Sequence, residues 1–231
     1  MNVPEIRFKG FSGEWEKKKL CDLYERSIVK NDLSFGIDKI ISVANMYFSD
    51  KATQSDDDYL RSYNVMRLGD IAFEGHVNRN YACGRFVENT IGDGIVSHVF
   101  VVLKPKNRKY DLHYWKYYIN NENIMNQILV RCTKSSIMMN DLVIDDFLNE
   151  SLLVPSYKEQ KSIGEFFTSL DRQITLQTQR LEKLKQIKTA SLQSMFPQNG
   201  ETTPKLRFKG FVGEWEKKKL CDLYERSIVK N

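Results

Sequence analysis

Proline is scarce in this 231-residue chain: five residues, each isolated and none preceded by Asn or Asp. An amino-group DNA methyltransferase holds a flipped base with an Asn/Asp-Pro-Pro-aromatic motif, so that chemistry has no seat here. Neither a Gly-rich loop for S-adenosylmethionine nor a Walker A motif occurs. Phe73-Glu-Gly75 and Gly92-Asp-Gly94 read as turns. Histidine is limited to His76, His98 and His113, which do not cluster in sequence. Glu16-Lys17-Lys18 has the letters of a metal-nuclease strand but is expected in a helix. No catalytic constellation emerges, and no cofactor-binding or metal-ligating set.

Cysteine is also sparse. Cys21, Cys83, Cys132 and Cys221 form no CxxC pair and no Cys/His set with zinc spacing. Scattered thiols of this kind suit a reducing, cytoplasmic setting. No apolar run approaches the roughly 20 residues that span a bilayer, and MNVPEIRFKG lacks the apolar core of a signal peptide.

What is present is enough for a buried core: 41% hydrophobic and 12% aromatic residues, with 28% charged. The net charge of +5 is compatible with a nucleic-acid partner without identifying one. The first zone, about 1–155, has mixed α/β patterning. Strand signals fall at Lys39–Val43, at Asp70–Phe73 and along the β-branched run Ile95–Leu103. Tyr114, Tyr117, Tyr118, Ile124, Ile128 and Leu129 space one or two helices. Glu150–Pro155 reads as extended.

The zone 156–196 differs in kind. Ser156-Tyr-Lys-Glu159 is a capping-box pattern, and no Gly or Pro follows until Pro197 except Gly164. A helix of about 40 residues, on the order of 60 Å, fits. Ile163, Phe167, Leu170, Ile174, Leu181, Leu184 and Ile187 trace a heptad seam, with Gln177 in one core slot and a stutter near Ile187. Such a helix outruns the roughly 15 Å radius of a domain of about 150 residues. Packing against a second helix is therefore expected. The fold class expected is α+β: a mixed domain, one long coiled-coil helix, then a short tail.

That tail restarts the chain. After a turn-rich linker, RFKGFVGEWEKKKLCDLYERSIVKN (207–231) repeats RFKGFSGEWEKKKLCDLYERSIVKN (7–31) at a fixed offset of 200. Counted from Pro4 and Pro204, only three of 28 positions differ: Glu5/Lys205, Ile6/Leu206 and Ser12/Val212. Leu20, Leu23, Tyr24 and Ile28 suggest an amphipathic helix, with Lys17, Lys18 and Lys19 on its solvated face.

The segment LVPSYKEQKSIGEFFTSLDRQITLQTQRLEKLKQIKTASLQSMFP resembles type I restriction–modification DNA specificity subunits. The resemblance rests on Pro155, Glu159-Gln160, Ile163, Phe167, Leu170-Asp171, Ile174, Leu181, Lys188 and Met195-Phe196-Pro197. RFKGFSGEWEKKKL is similar to the start of each half of such subunits. Ile95-Val-Ser97 leading to Val101-Val-Leu103 and Pro105 resembles the closing strands of their target-recognition domains. The resemblance implies a half-length subunit. It would comprise a target-recognition domain at 1–155 (with 4–31 as its opening segment), a dimerisation helix at 156–196, and a linker plus second opening segment at 197–231. It implies a non-catalytic reader of double-stranded DNA that docks methylation and restriction subunits. Those partners hold the S-adenosylmethionine, ATP and Mg²⁺.

Two expectations follow. Two chains pair antiparallel through the seam and read a palindromic, interrupted target. Base contacts come from polar loops: His76, Asn78, Arg79, Asn80 and Tyr81 on one, and Arg131, Thr133, Lys134, Ser135 and Ser136 on another, the latter better suited to phosphate or mixed contacts. Ordinary solvent loops would look the same. A stand-alone nuclease and a purely structural coiled coil are the rival readings.

Overall fold

A computed structural model describes residues 3–49, 56–106, 110–136 and 139–225. The chain forms two compact bodies, residues 1–169 and 170–231. In chain order the first holds β1 (Glu16–Lys19), α1 (Leu20–Leu23), β2 (Tyr24–Arg26), β3 (Ile41–Ser42), β4 (Tyr47–Phe48), α2 (Asp57–Ser62), β5 (Asn64–Met66), β6 (Ile71–Glu74) and β7 (Arg85–Glu88). It continues with β8 (Gly94–Val96), β9 (Val101–Pro105), α3 (Leu112–Tyr118), α4 (Glu122–Cys132), β10 (Thr133–Lys134), β11 (Asp141–Leu142), α5 (Ile144–Asn149) and β12 (Ser151–Val154). The long helix α6 (Tyr157–Ser194) starts in this body. The architecture is α+β, a sheet-rich domain followed by one long helix.

A four-stranded antiparallel sheet, in the order β2-β9-β6-β7, organises the first body. Successive side chains point to opposite faces, and both faces are covered. Ile71, Phe73, Phe86 and Leu103 enter one core with Trp115, Leu129 and Phe147 from α3, α4 and α5. Ala72, Val87 and Val102 enter a second core with Ile41, Val43, Met66 and Val96. Burial on two faces explains why β6 opens with the continuous apolar run Ile71-Ala-Phe73 rather than an alternating pattern.

Two local expectations change, and a third is resolved. Ile95–Leu103 is two strands: β8 pairs with β5, β9 pairs with β2 and β6, and a turn closed by Phe100 N–H to Ser97 C=O (3.1 Å) separates them. An unbroken apolar pattern cannot reveal a change of sheet. Lys17–Lys19 lie on strand β1, laddered against β12 with Lys18 opposite Leu152, and not on a helix. A distant partner strand decides that, because EKKK has no apolar period of its own. The helical pattern over 112–132 is two helices, capped by Asp111 (accepting from Tyr114 N–H, 2.8 Å) and Asn121 (accepting from Asn123 N–H, 3.1 Å).

Half of the capping box forms. The Ser156 hydroxyl accepts from Glu159 N–H at 3.4 Å. The Glu159 carboxylate does not turn back to the cap. It is buried and accepts two bonds from Arg7 (2.7 Å each) and one from Trp15 Nε1 (3.3 Å). Gly164 is explained by proximity: a Cβ there would come within 2.6 Å of the Tyr114 backbone nitrogen, so the glycine lets α6 lie against the start of α3.

In the second body, α6 runs from Leu170 to Ser194 and the chain then turns back on its end. Leu206 N–H donates to Ser194 C=O (2.9 Å), Trp215 N–H donates to Thr202 C=O (2.7 Å), and Phe196 meets Trp215 edge-on. All four cysteines are free thiols. Among the described residues no helix is long and apolar enough to cross a membrane.

Candidate nucleic-acid interface

The loop between β6 and β7 leaves the four-stranded sheet at a crowded point. Gly75 has the Asn140 backbone against the place a Cβ would occupy, and Gly84 (φ +81°) faces the Glu74 carbonyl. Only glycine fits both stems. Arg85 Nε donates to Glu74 at 2.7 Å across the base of the loop, and its other arm donates to the Ala44 carbonyl, also at 2.7 Å. The same guanidinium lies 4.8 Å from the centre of the Tyr81 ring, a cation–π contact that holds Tyr81 in place.

Within this loop the polar residues divide by geometry. The Asn78 side-chain oxygen accepts from the N–H groups of Asn80 (2.9 Å) and Tyr81 (3.1 Å), and its backbone exchanges two 3.2 Å bonds with Tyr81. Asn78 therefore builds the turn, and one half of its amide is already used. His76, Arg79 and Asn80 are exposed and make no side-chain hydrogen bond or ion pair among the described residues. Arg79 keeps its five donors, and Asn80 keeps both a donor and an acceptor.

The second loop, between β10 and β11, adjoins the first. Asn140 N–H donates to Gly75 C=O at 2.9 Å, and the Asn140 side chain donates to Ala82 C=O at 3.3 Å. One residue thus ties the two predicted loops into a single rim, with the β3–β4 turn attached through Arg85. Lys134, Ser135 and Ser136 are exposed on it. Thr133 spends its hydroxyl on Leu129 C=O (2.7 Å). Arg131 is on the last turn of α4, where its fork grips Glu150 at 2.7 and 2.8 Å. That grip raises Arg131 further above its ordinary range and holds the Glu150 carboxyl below the usual carboxylate range. Of this cluster Lys134 is the cation without an ion pair among the described residues. Asn140 and Arg85, which assemble the rim, had no sequence signal: each is one polar residue whose partners lie far along the chain. Among the described residues no three His, Cys, Asp or Glu side chains stand close enough to hold a metal ion.

The helix seam divides as well. Ile163 packs on the first core, and Phe167 meets Tyr117 with ring centroids 5.1 Å apart. Both belong to the expected seam; Ile163 is partly buried on its own domain, while Phe167 stays 41% exposed. In the second body, Leu170, Ile174, Leu181, Leu184 and Ile187 are 37–64% exposed along the helix. An apolar stripe this long in water marks an interaction face.

The family described as the type I restriction modification DNA specificity domain matches residues 12–186. The chain belongs to that family. The match covers the sheet domain and most of α6, and the specificity-domain fold is shared with solved structures. The HsdS subunit from Thermoanaerobacter tengcongensis is similar over 87% of this chain and 53% of its own, at 18% identity and a TM-score of 0.52. The type I restriction-modification S subunit from M. genitalium is similar over 84% of this chain and 49% of its own, at 12% identity and a TM-score of 0.50. The chain spans about half the length of these two structures. No curated protein sequence matches it.

Proposed function

We propose that this chain is the DNA-reading, non-catalytic subunit of a type I restriction–modification complex, and that two copies pair through α6. Residues 1–155 serve as the target-recognition domain, 156–196 as the dimerisation helix, and 197–231 as a linker with a second opening segment. The observation that carries the reading is the open stripe Leu170–Ile187 on a chain of the DNA specificity family. Burying one Leu or Ile contributes roughly 1.5–3 kcal/mol, so two copies of a five-residue stripe suffice to hold a pair. Closed two-fold pairing makes the stripe self-complementary, and twin readers on antiparallel rods demand a palindromic target split by a spacer.

Base reading falls to Arg79, whose fork suits guanine, and to Asn80, which suits adenine. His76 flanks them, while Asn78 and Tyr81 shape the turn. Lys134, Ser135 and Ser136 suit phosphate, with Thr133 and Arg131 supporting the adjoining hairpin. Methylation and restriction subunits dock on the pair and bring S-adenosylmethionine, ATP and Mg²⁺. The chain itself holds no cofactor and works in the cytoplasm.

Selection from random-sequence duplexes, with the methylation partner present, tests this directly. A recovered two-part palindrome is the expected result; no enrichment refutes DNA reading. Incubation of the chain alone with DNA and Mg²⁺ should leave the duplex intact. Cleavage would favour a nuclease instead.

A further inference from the structure

The chain carries one segment twice, and the two copies stand in different circumstances. Their front halves fold alike. Arg7 donates to Gly13 C=O at 2.6 Å, and Arg207 donates to Gly213 C=O at 2.6 Å. Gly10 and Gly210 share φ near +100°. This turn is a property of the segment itself.

The back halves share a short helical turn, at Leu20–Leu23 and Leu220–Asp222, but differ in pairing and burial. In the first copy Glu16–Lys19 ladders with Ser151–Val154, Arg7 and Trp15 hold the buried Glu159, and Leu20, Leu23 and Tyr24 are 0%, 7% and 0% exposed. In the second copy residues 216–219 form no strand, and Leu220, Leu223 and Tyr224 are 74%, 56% and 75% exposed. Yet Arg207, Trp215, Glu216–Lys219, Leu220, Leu223 and Tyr224 repeat every one of the seated residues, and none of the three differing positions is among them. The described residues offer one seat for two identical keys.

We propose that the second copy is an exchangeable duplicate that occupies the seat of a second copy of this chain: the β12 edge, the Glu159 carboxylate and the core beside α5. The argument for that occupant is complementarity already present in the structure, because the seat is filled by the same side chains in the resident copy. Exchanging identical elements between protomers costs little, since every lost contact is remade. The inference rests on the antiparallel pairing proposed above. That pairing sets the C-terminal end of one α6 beside the N-terminal end of the other, where Glu159 lies. The short tether from Ser194 to Arg207 then gives the incoming copy a high effective concentration. Leu33, held at φ +74° just past the duplicated segment, is a natural point for the resident copy to part from the domain. Exchange ties the two chains by a strand as well as by the stripe.

The test uses the full 231-residue chain with Ser151→Cys and Lys219→Cys, and with Cys21→Ser and Cys221→Ser. Lys19 and Ser151 are opposite each other in the resident ladder, so a seated second copy brings positions 219 and 151 together. Mild oxidation should give a covalent dimer on a non-reducing gel. Adding Arg7→Glu, which loosens the resident copy, should raise its yield several-fold, and adding Arg207→Glu should remove it. Near-UV circular dichroism checks that each variant folds. A yield indifferent to Arg207→Glu, or a disulfide closed within one chain, overturns the exchange. Sedimentation of the reduced parent separates the two ideas. A dimer without the disulfide sinks only the exchange, whereas a monomer sinks the pairing on which it rests.

Discussion

Glu88 on β7 is 2% exposed, and burial pushes its carboxyl up to about 9, with the nearby Tyr110 hydroxyl opposing the rise. From about pH 4.5 to about 9 the folded chain keeps a proton that the unfolded chain has released. Stability is therefore greatest at the acidic end of that window and declines as pH rises through it. Asp70, pushed up to about 6 by burial, adds the same sign below that pH. Thermal unfolding at pH 6, 7.5 and 9 should show a falling midpoint in the parent and a flatter trend in Glu88→Gln, which fills the same space without ionising. At the rim, Arg79→Ala should cost about 1–3 kcal/mol at one base position and relax specificity there. Lys134→Ala should weaken all duplexes evenly and lower the salt slope by about one. Competition binding at two salt concentrations tells these apart. The polar loop residues could be picked out by composition, but their division into open side chains and turn-building ones could not. Asn78 and Asn80 are the same residue type two positions apart, and only the turn decides which amide is spent.

Elements show the same division between local and distant causes. The long helix was legible because capping, an almost unbroken absence of Gly and Pro, and heptad spacing all act within a few residues. Its docking was not: Gly164 looks like a weak spot until α3 is seen against it, and Ile163 and Phe167 carry the seam's period while serving their own domain. The remaining stripe predicts that Leu181→Lys with Leu184→Lys abolishes pairing in sedimentation while far-UV circular dichroism keeps its helical signal. Strand β1 was misread because its ladder partner lies more than 130 residues away. The joint at Gly75 is an element-scale feature too. Gly75→Ala forces a Cβ onto the Asn140 backbone, and overpacking of this kind costs about 1–3 kcal/mol. It should lower the unfolding midpoint and blur base selectivity together.

At the scale of the whole molecule, the proposed pair works as a ruler. Inserting one heptad between Leu176 and Gln177 lengthens each rod by about 10 Å. At about 3.4 Å per base pair, the spacer recovered by random-sequence selection should grow by about three base pairs, with the half-sites unchanged. An unchanged spacer would mean that the rods do not set the distance. By itself the sequence determined the class of fold, the rod, the repeat and the family, because periodicity, caps and recurring motifs are written in neighbouring residues. Tertiary structure alone decided that two loops become one rim through Asn140, that Glu159 serves Arg7 and Trp15 instead of its own helix cap, and that one copy of the repeat is seated while its twin stays open. Each of those depends on a partner distant in the chain, and the identity of a distant partner leaves no local trace.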